Sequence, residues 1–470
     1  MNTISCDVCV VGSGIAGLCA AVAAAEAGAS VTLVCEGAVC SGSSFAGTTW
    51  GLGMVGPRTP APADVEGFIR AVQAPGGSKA QDAYVRALGT GFHGALERFR
   101  AMGAVVEDVE PGHEGDRAYV PCFGTEVQDW HGFHALASVQ GLRNRLCKVG
   151  VKVVHHAEVA SLLRDPAGGS VAGVLAFVGP EKSPLVVRAG ASVLATGGAA
   201  AALSPTLASP HARGTGLVMA RDEGATCGNL GYGQVMAGIV AKGRPAVFNE
   251  KVWGLTRLLK DGEDVFSLAG VSPALAREAL EAHSWHGPYS RQRVSRLVEE
   301  SVAAVGGACD AVVERPEGEV QPFVATYMDW LEETHGLSWG EPMPLALFHQ
   351  ASNGGVRCDP DGWTRVAGLY AAGEVAPVFA VDRLGGIASA TAMVFGLAAG
   401  EAAARHAMAH RSVNRALCFR GEGGEPRPVE SLEGLSPLES ASLGDALTGR
   451  LRTGAHDLVR AAMDEAGSPF

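Results

Sequence analysis

The chain has 470 residues, 47% of them apolar and only 18% charged, enough to bury a large core shared between two compact units. Its net charge of −12 and the lack of any Lys or Arg run exclude the electrostatic footprint of a nucleic-acid binder. The 64 glycines follow no period, which excludes a collagen-like chain and fits tight turns and close approach of backbone to a large ligand.

Asp7–Val11 is a short apolar run of the buried parallel-strand type. It leads into Gly12-Ser13-Gly14-Ile15-Ala16-Gly17, then into an Ala-rich helix pattern that closes at Gly28. The next strand, Ser30 to Cys35, ends at Glu36. Strand, glycine turn, helix and acidic strand end together form the setting of a dinucleotide fingerprint. The glycines permit the turn, the approach to a pyrophosphate and the packing of the helix, while the helix N-terminus favours the phosphate charge. Glu36 is placed to accept hydrogen bonds from a ribose. The fingerprint alone does not choose between NAD and FAD.

The stretch that follows, GAVCSGSSFAGTTWGLG from Gly37 to Gly53, concentrates small and hydroxyl residues. Such a loop can wrap a flat ring system, with Ser43, Ser44 and Gly51 close to its polar edge. The 11 cysteines lie in apolar contexts, which suits a reducing compartment without disulfides. Cys6 and Cys9 flank a strand pattern and have no second pair at zinc spacing, so they read as structural and no metal site is expected. The first residues lead straight into a strand, and no apolar run reaches about 18 residues. A cytoplasmic protein without a membrane partner is the expectation.

Two later strands also end in glycine-rich turns: Ala191 to Leu194 before Ala195-Thr196-Gly197-Gly198, and Gly368 to Ala372 before Gly373-Glu374. Gly368 to Gly400, GLYAAGEVAPVFAVDRLGGIASATAMVFGLAAG, closely resembles the C-terminal FAD segment of the fumarate reductase, succinate dehydrogenase and L-aspartate oxidase flavoprotein family. The fingerprint, the Ser43–Gly51 loop, the Ala195–Gly198 strand end and GTGLVMARDEGA at 214–225 fall in that family's order, so the resemblance covers nearly the whole chain.

The resemblance implies an α/β fold: a discontinuous Rossmann-like FAD-binding domain at 1–237 and 345–410, an inserted α+β capping domain at 238–344, and a short C-terminal extension at 411–470. It implies an FAD cradle that includes Ala388 and Ser389. The family's covalent flavin link uses a His in the small-residue loop, and this loop has none, which implies non-covalent FAD.

Family members move a hydride between the flavin and a carbon beside an activating carboxylate, with a proton handled on the neighbouring carbon. Arg383 in DRLGG matches the family's carboxylate-binding Arg; a planar, permanently charged fork suits that task. Arg291 in RQRVSRLVEE resembles the cap-domain proton donor or acceptor, and Glu250 in FNEKVWG resembles its relay carboxyl. In FHQASNGG the family's substrate-binding His falls on His349 if one residue is inserted, or on Gln350 if not.

Met236, Asn249 and Trp253 stand where the family carries a His, a Thr and a relay Arg, making that end of the expected pocket less polar. Thr215 stands where an Asp is usual, and Ile387-Ala388 where Asn-Ser is usual. The expected activity is therefore FAD-dependent reduction or formation of a carbon–carbon double bond beside a carboxylate or carbonyl, with a substrate other than fumarate and an external electron donor or acceptor. Two alternatives are an amino-acid oxidase of the L-aspartate type that uses O2, and a non-catalytic flavin-binding electron-carrier subunit.

Overall fold

The computed structural model describes residues 2–48, 50–76, 82–108, 128–166, 169–241, 244–284, 289–377, 379, 381–410 and 416–470. Thr49 of the small-residue loop, 242–243 and 285–288 of the expected cap, Val378 and Ala380 of the Gly368–Gly400 stretch, and 411–415 lie outside the described residues.

Strand Asn2–Val11 sits between two parallel partners, Val31–Val34 on one side and Ser183–Leu194 on the other. Lys152–Val154 extends the sheet beyond Val31–Val34, and Leu369–Ala371 pairs in parallel with the last residues of Ser183–Leu194. Covered on both faces, these strands are apolar without alternation: Val8, Cys9 and Val10 are all fully buried. An antiparallel part, Ala157–Arg164 and Val171–Val178, continues the same sheet toward Cys418–Arg420 and Pro426–Pro428. The parallel register delivers Val11, Val34, Leu194 and Ala371 to one edge, so the glycine turns from distant parts of the chain open side by side. Ligands of such sheets bind at that carboxyl edge.

Helix Ile15–Glu26 packs against helix Ile387–Ala409, and both are apolar nearly all round because both are interior. The second helix has the length and composition of a membrane span, yet 78% of its apolar window is buried inside the protein, as a core helix would be. Small residues set the closeness of the pair. A Cβ on Gly400 would stand 2.2 Å from the Ala20 carbonyl oxygen, and one on Gly396 2.6 Å from that of Ala16.

A second, six-stranded sheet has the order Arg244–Val247, Gly233–Ala241, Pro342–Ser352, Ala308–Val313, Thr256–Lys260, Glu263–Asp264. It begins before residue 238 and its strand Pro342–Ser352 runs on past residue 344, so it takes in chain on both sides of the expected cap segment. Helices Pro273–His283, Arg296–Ala304 and Pro322–His335 contribute to a separate core that holds Trp253, Tyr327 and Met343. The C-terminal helix Pro437–Glu465 starts from a capping box in which Ser436 and Glu439 satisfy each other's backbone N–H. It returns to pack on helix Thr215–Asp222 and strand Ala157–Arg164 of the first unit.

Gly400→Ala is expected to destabilise the fold by about 1–3 kcal/mol through overpacking against Ala20. Gly449→Ala, also within a helix but with nothing within 4 Å of its Cβ position, is expected to hold or raise stability. Thermal melts of the two variants check the pair, and equal melting temperatures would contradict this account of the helix contact.

Candidate active site

A cleft, open to solvent, runs along the carboxyl edge of the parallel strands, with about 1200 Å³ of space not filled by protein when its open mouth is included. Gly12, Ser13, Gly14 and Ala16 line it beside Glu36, Ser43, Ser44, Ala195, Thr196, Gly197, Gly373, Glu374, Arg383, Ala388 and Ser389. Two glycines at the turn in its centre leave no room for a side chain. Gly12 has φ +104°, and a Cβ there would meet the Ala195 carbonyl oxygen at 2.3 Å; a Cβ on Gly17, which is a packing rather than a lining residue, would meet the Gly12 oxygen at 1.8 Å. Gly14 differs. The nearest atom to its Cβ position is 3.7 Å away, so the space over it lies open toward the cleft. Gly14 also caps helix Ile15–Glu26 without any side-chain bond, leaving the first N–H groups and the positive end of the helix dipole to an anion.

The small-residue loop lies directly on this turn, where a Cβ on Gly42 would meet Gly14 Cα at 2.7 Å. Ser43–Phe45 forms a short 3-10 turn, and the Ser209 N–H donates to Ser43 Oγ at 3.1 Å. Gly51 makes its bend with φ +67° and is not a lining residue. Beyond the turn the loop reaches the second unit. Val247 N–H donates to the Thr48 carbonyl at 2.8 Å, and the Trp50 ring stands 5.0 Å from Phe323 and 5.4 Å from Tyr327.

At the far end of the cleft Glu36 is already engaged: Arg213 donates to its Oε1, and His211 Nδ1 lies 3.1 Å from the same oxygen. Glu158 accepts from Lys182 at 2.8 Å and from Arg452 at 2.6 Å, which hold its carboxyl below the usual carboxylate range against the effect of burial. Neither His211 nor Arg213 was legible as a partner of Glu36, because their segment carries no motif.

The opposite end is built around Arg383. The residue is 7% exposed, its Nη1 has no hydrogen-bond partner among the described residues, and its Cζ stands 5.6 Å from the centre of the Phe379 ring. Burial pulls its pKa down, and the Glu374 carboxylate acts in the opposite direction. Glu374 accepts from the Ser352 N–H at 2.8 Å; desolvation raises its pKa and the Arg383 charge opposes the rise. Arg383 also lines a second cleft, together with Gln292, Arg293, Asp382 and Leu384. Next to it, Asp382 accepts from Ser290 Oγ at 2.6 Å with both side chains buried, which fastens the segment before Arg291 to the loop that carries Arg383.

The cap-side residues are placed differently from the sequence expectation. Arg291 donates to the Ala466 carbonyl and lies 5.5 Å from the Tyr232 ring, and it lines neither cleft. His349 pairs with Val235 across the sheet while Ala351 pairs with Gln234, so Gln350 is the extra residue of a β-bulge. Burial together with the Arg460 charge lowers the pKa of the His349 imidazole.

Met236, Asn249, Trp253 and Gln350 line neither cleft. Met236 packs with Leu207, Val247 and Phe348, and the Asn249 side chain accepts from Lys251 N–H at 2.9 Å as the cap of a 3-10 turn. Trp253 is a core residue of the cap, 4.7 Å from the Phe248 ring. Apolar packing and local capping claim these side chains. Glu250 is buried in the same region, and desolvation raises its carboxyl pKa.

Fold and cleft together define a dinucleotide-binding protein with an inserted second unit. A family model described as an FAD binding domain matches residues 7–389, and the chain belongs to that family. It is 29% identical over 407 residues to an L-aspartate oxidase of Streptomyces coelicolor, covering 79% of this chain but only 63% of the relative's length. It is 28% identical over 457 residues to a fumarate reductase (cytochrome) of Shewanella frigidimarina, with 85% and 77% covered. Among solved structures it superposes on the E. coli quinol fumarate reductase with a TM-score of 0.67 at 20% identity, covering 88% of this chain and 72% of that one.

The residues present fit FAD. The space over Gly14 suits a pyrophosphate, Thr196 Oγ1 is buried at the cleft without a partner among the described residues, and Arg383 brings a cation with a free Nη1 to its other end. Purified wild-type protein is expected to carry flavin absorbance, and stripped protein is expected to gain about 2.7 kcal/mol of stability at FAD concentrations of 100 times Kd. Gly12→Ala is expected to lose both the colour and the FAD-dependent rise in melting temperature.

Proposed function

We propose that this chain is an FAD-dependent oxidoreductase that reduces or forms a carbon–carbon double bond beside a carboxylate or carbonyl. The observation that carries the reading is Arg383. A buried guanidinium with an unpartnered Nη1 is costly to maintain without a ligand, and this one stands where the flavin cleft and a second cleft meet. Bound FAD would supply the redox equivalent.

Arg383 would hold the substrate's oxygen atoms and stabilise the enolate-like charge that develops next to them. A fixed cation in a water-poor site does this without reorganising. The Ser290–Asp382 bond keeps that cation's loop in register with the cap. On the cap side, Arg291 and Glu250 handle the proton. Arg291 must then leave its bond to the Ala466 carbonyl to reach a substrate, which makes that contact a feature of the resting arrangement. Non-covalent FAD fits the loop composition, because residues 37–53 contain no histidine.

The same placement argues against fumarate. The positions where a second carboxylate would need partners offer none: Met236 is packed among Leu207, Val247 and Phe348, and Asn249 is already used as the cap of a 3-10 turn. A monocarboxylate or an enone avoids an unpaired buried charge. A second reading, oxidation of an amino acid with release of peroxide, draws support from the Streptomyces relative, which is named an L-aspartate oxidase.

Anaerobically reduced protein is expected to be reoxidised by an unsaturated monoacid or enone and not by fumarate. Arg383→Gln should retain FAD yet lose about 10²–10³-fold in kcat/KM, the usual cost of removing one donor to a developing oxyanion. Unchanged turnover in Arg383→Gln would remove the residue from the chemistry. Peroxide release on an amino-acid panel would move the second reading ahead.

A further inference from the structure

The cap buries a group of ionisable side chains that the flavin cleft does not touch. His283, the last residue of helix Pro273–His283, is 1% exposed, and its Nε2 lies 2.6 Å from Oε1 of Glu299, which is 0% exposed on helix Arg296–Ala304. Glu250, 8% exposed, opens the 3-10 turn Glu250–Leu255 that packs on helix Pro273–His283. Three residues on in that turn, the Trp253 indole packs on the His283 ring, tilted by 37° with centroids 4.7 Å apart. His283 Nδ1, Glu299 Oε2 and Trp253 Nε1 have no hydrogen-bond partner among the described residues. Phe248, Val252, Ala279, Val298 and Val302 belong to the surrounding apolar core.

Two carboxyls and one imidazole in such a place cannot all be charged or neutral at will. A charge left without an opposite partner in an apolar core costs several kcal/mol. An imidazolium against the Glu299 carboxylate makes a neutral pair, and the remaining group, Glu250, then escapes an uncompensated charge only by keeping its proton.

The electrostatics run the same way. Burial lowers the pKa of His283, but the Glu299 carboxylate and, more weakly, Glu250 outweigh it and raise the imidazole. Burial raises Glu250, while His283 and Lys251 pull it back toward ionisation. Two neighbouring polar side chains are occupied, whereas the buried hydroxyls of Ser295 and Ser301 have no hydrogen-bond partner among the described residues. Tyr327 donates to the Val247 carbonyl and accepts from Asn249 N–H, and Arg296 is paired with Glu300 at 2.6 Å.

We propose that Glu250, His283 and Glu299 act as one proton-holding unit inside the cap, with His283 as the positioning residue for the Glu250 carboxyl. This rests on the reading of Glu250 as a proton-handling group of the reaction. When Glu250 gives up its proton toward the site, the His283 imidazolium is shared between two carboxylates and lowers the cost of the charge left behind, and a proton returning from solvent restores the starting state. No bond other than O–H and N–H is made or broken.

The test uses the FAD-loaded protein and two readouts. The first is the infrared carbonyl band of protonated Glu250, identified by its loss in Glu250→Gln, followed against pH. The second is the pH profile of kcat. His283→Gln removes the cation but keeps an amide to bond Glu299, and it should move the Glu250 titration upward by about one to three pH units, a tenfold to thousandfold change in proton affinity. The alkaline limb of kcat should move with it while KM is unchanged. Glu299→Gln leaves the His283 cation to Glu250 alone, so it should shift both in the opposite direction, downward, and it serves as the probe if His283→Gln does not fold.

A Glu250 band that titrates at the same pH in folded wild type and in either variant would overturn the unit and leave His283–Glu299 as a structural pair. If the band shifts but Glu250→Gln turns over normally, the coupling stands and it is the proton-handling role of Glu250 that fails.

Discussion

Everything at the cleft follows from one constraint: strand Asn2–Val11 must pair in parallel with Val31–Val34 and Ser183–Leu194 at once. That register sets three chain segments from far apart in sequence at a common edge, and the contacts there leave no room for side chains. Gly12 lies under the Ala195 carbonyl, and Gly373 has φ +76° with its Cβ position 2.7 Å from that of Ala16. Excluding protein side chains from the edge produces the cavity, so the pyrophosphate position and the flavin end are by-products of strand packing as much as of ligand chemistry.

Arg383 imposes the complementary demand at the other end. A guanidinium can be kept in a nearly buried place only if neighbouring charge or a ligand compensates it. Glu374 supplies part of that compensation, but its Oε1 also accepts the Ser352 N–H, so the acid is shared between holding the backbone and balancing the cation. The Asp382–Ser290 bond then makes the position of this cation a joint property of the two units.

The glycine fingerprint, Glu36 and the DRLGG arginine were legible because each depends on spacing within a few residues, and backbone geometry enforces such patterns locally. What was not legible depends on distant partners. Ser290 and Asp382 meet across 92 positions, and only the pairing of Pro342–Ser352 with Gly233–Ala241 decides that Gln350 is the bulge and His349 the paired residue. Asn249 was read as a pocket residue although its side chain caps the turn two residues on, a local signal that the motif comparison overrode. Trp253 was misplaced for the opposite reason: its environment is made by Phe248 and by His283, on another helix.

The loop that lies on the fingerprint turn also carries Thr48 and Trp50 into the cap, so the cofactor-facing and cap-facing surfaces share one short piece of backbone. Any free energy that the dinucleotide gains by ordering this loop is thereby available to the cap, and the exchange is reciprocal: whatever factor a docked cap adds to cofactor affinity, the cofactor adds to the docked cap. Cofactor retention and cap docking in this chain are two readings of a single linked equilibrium.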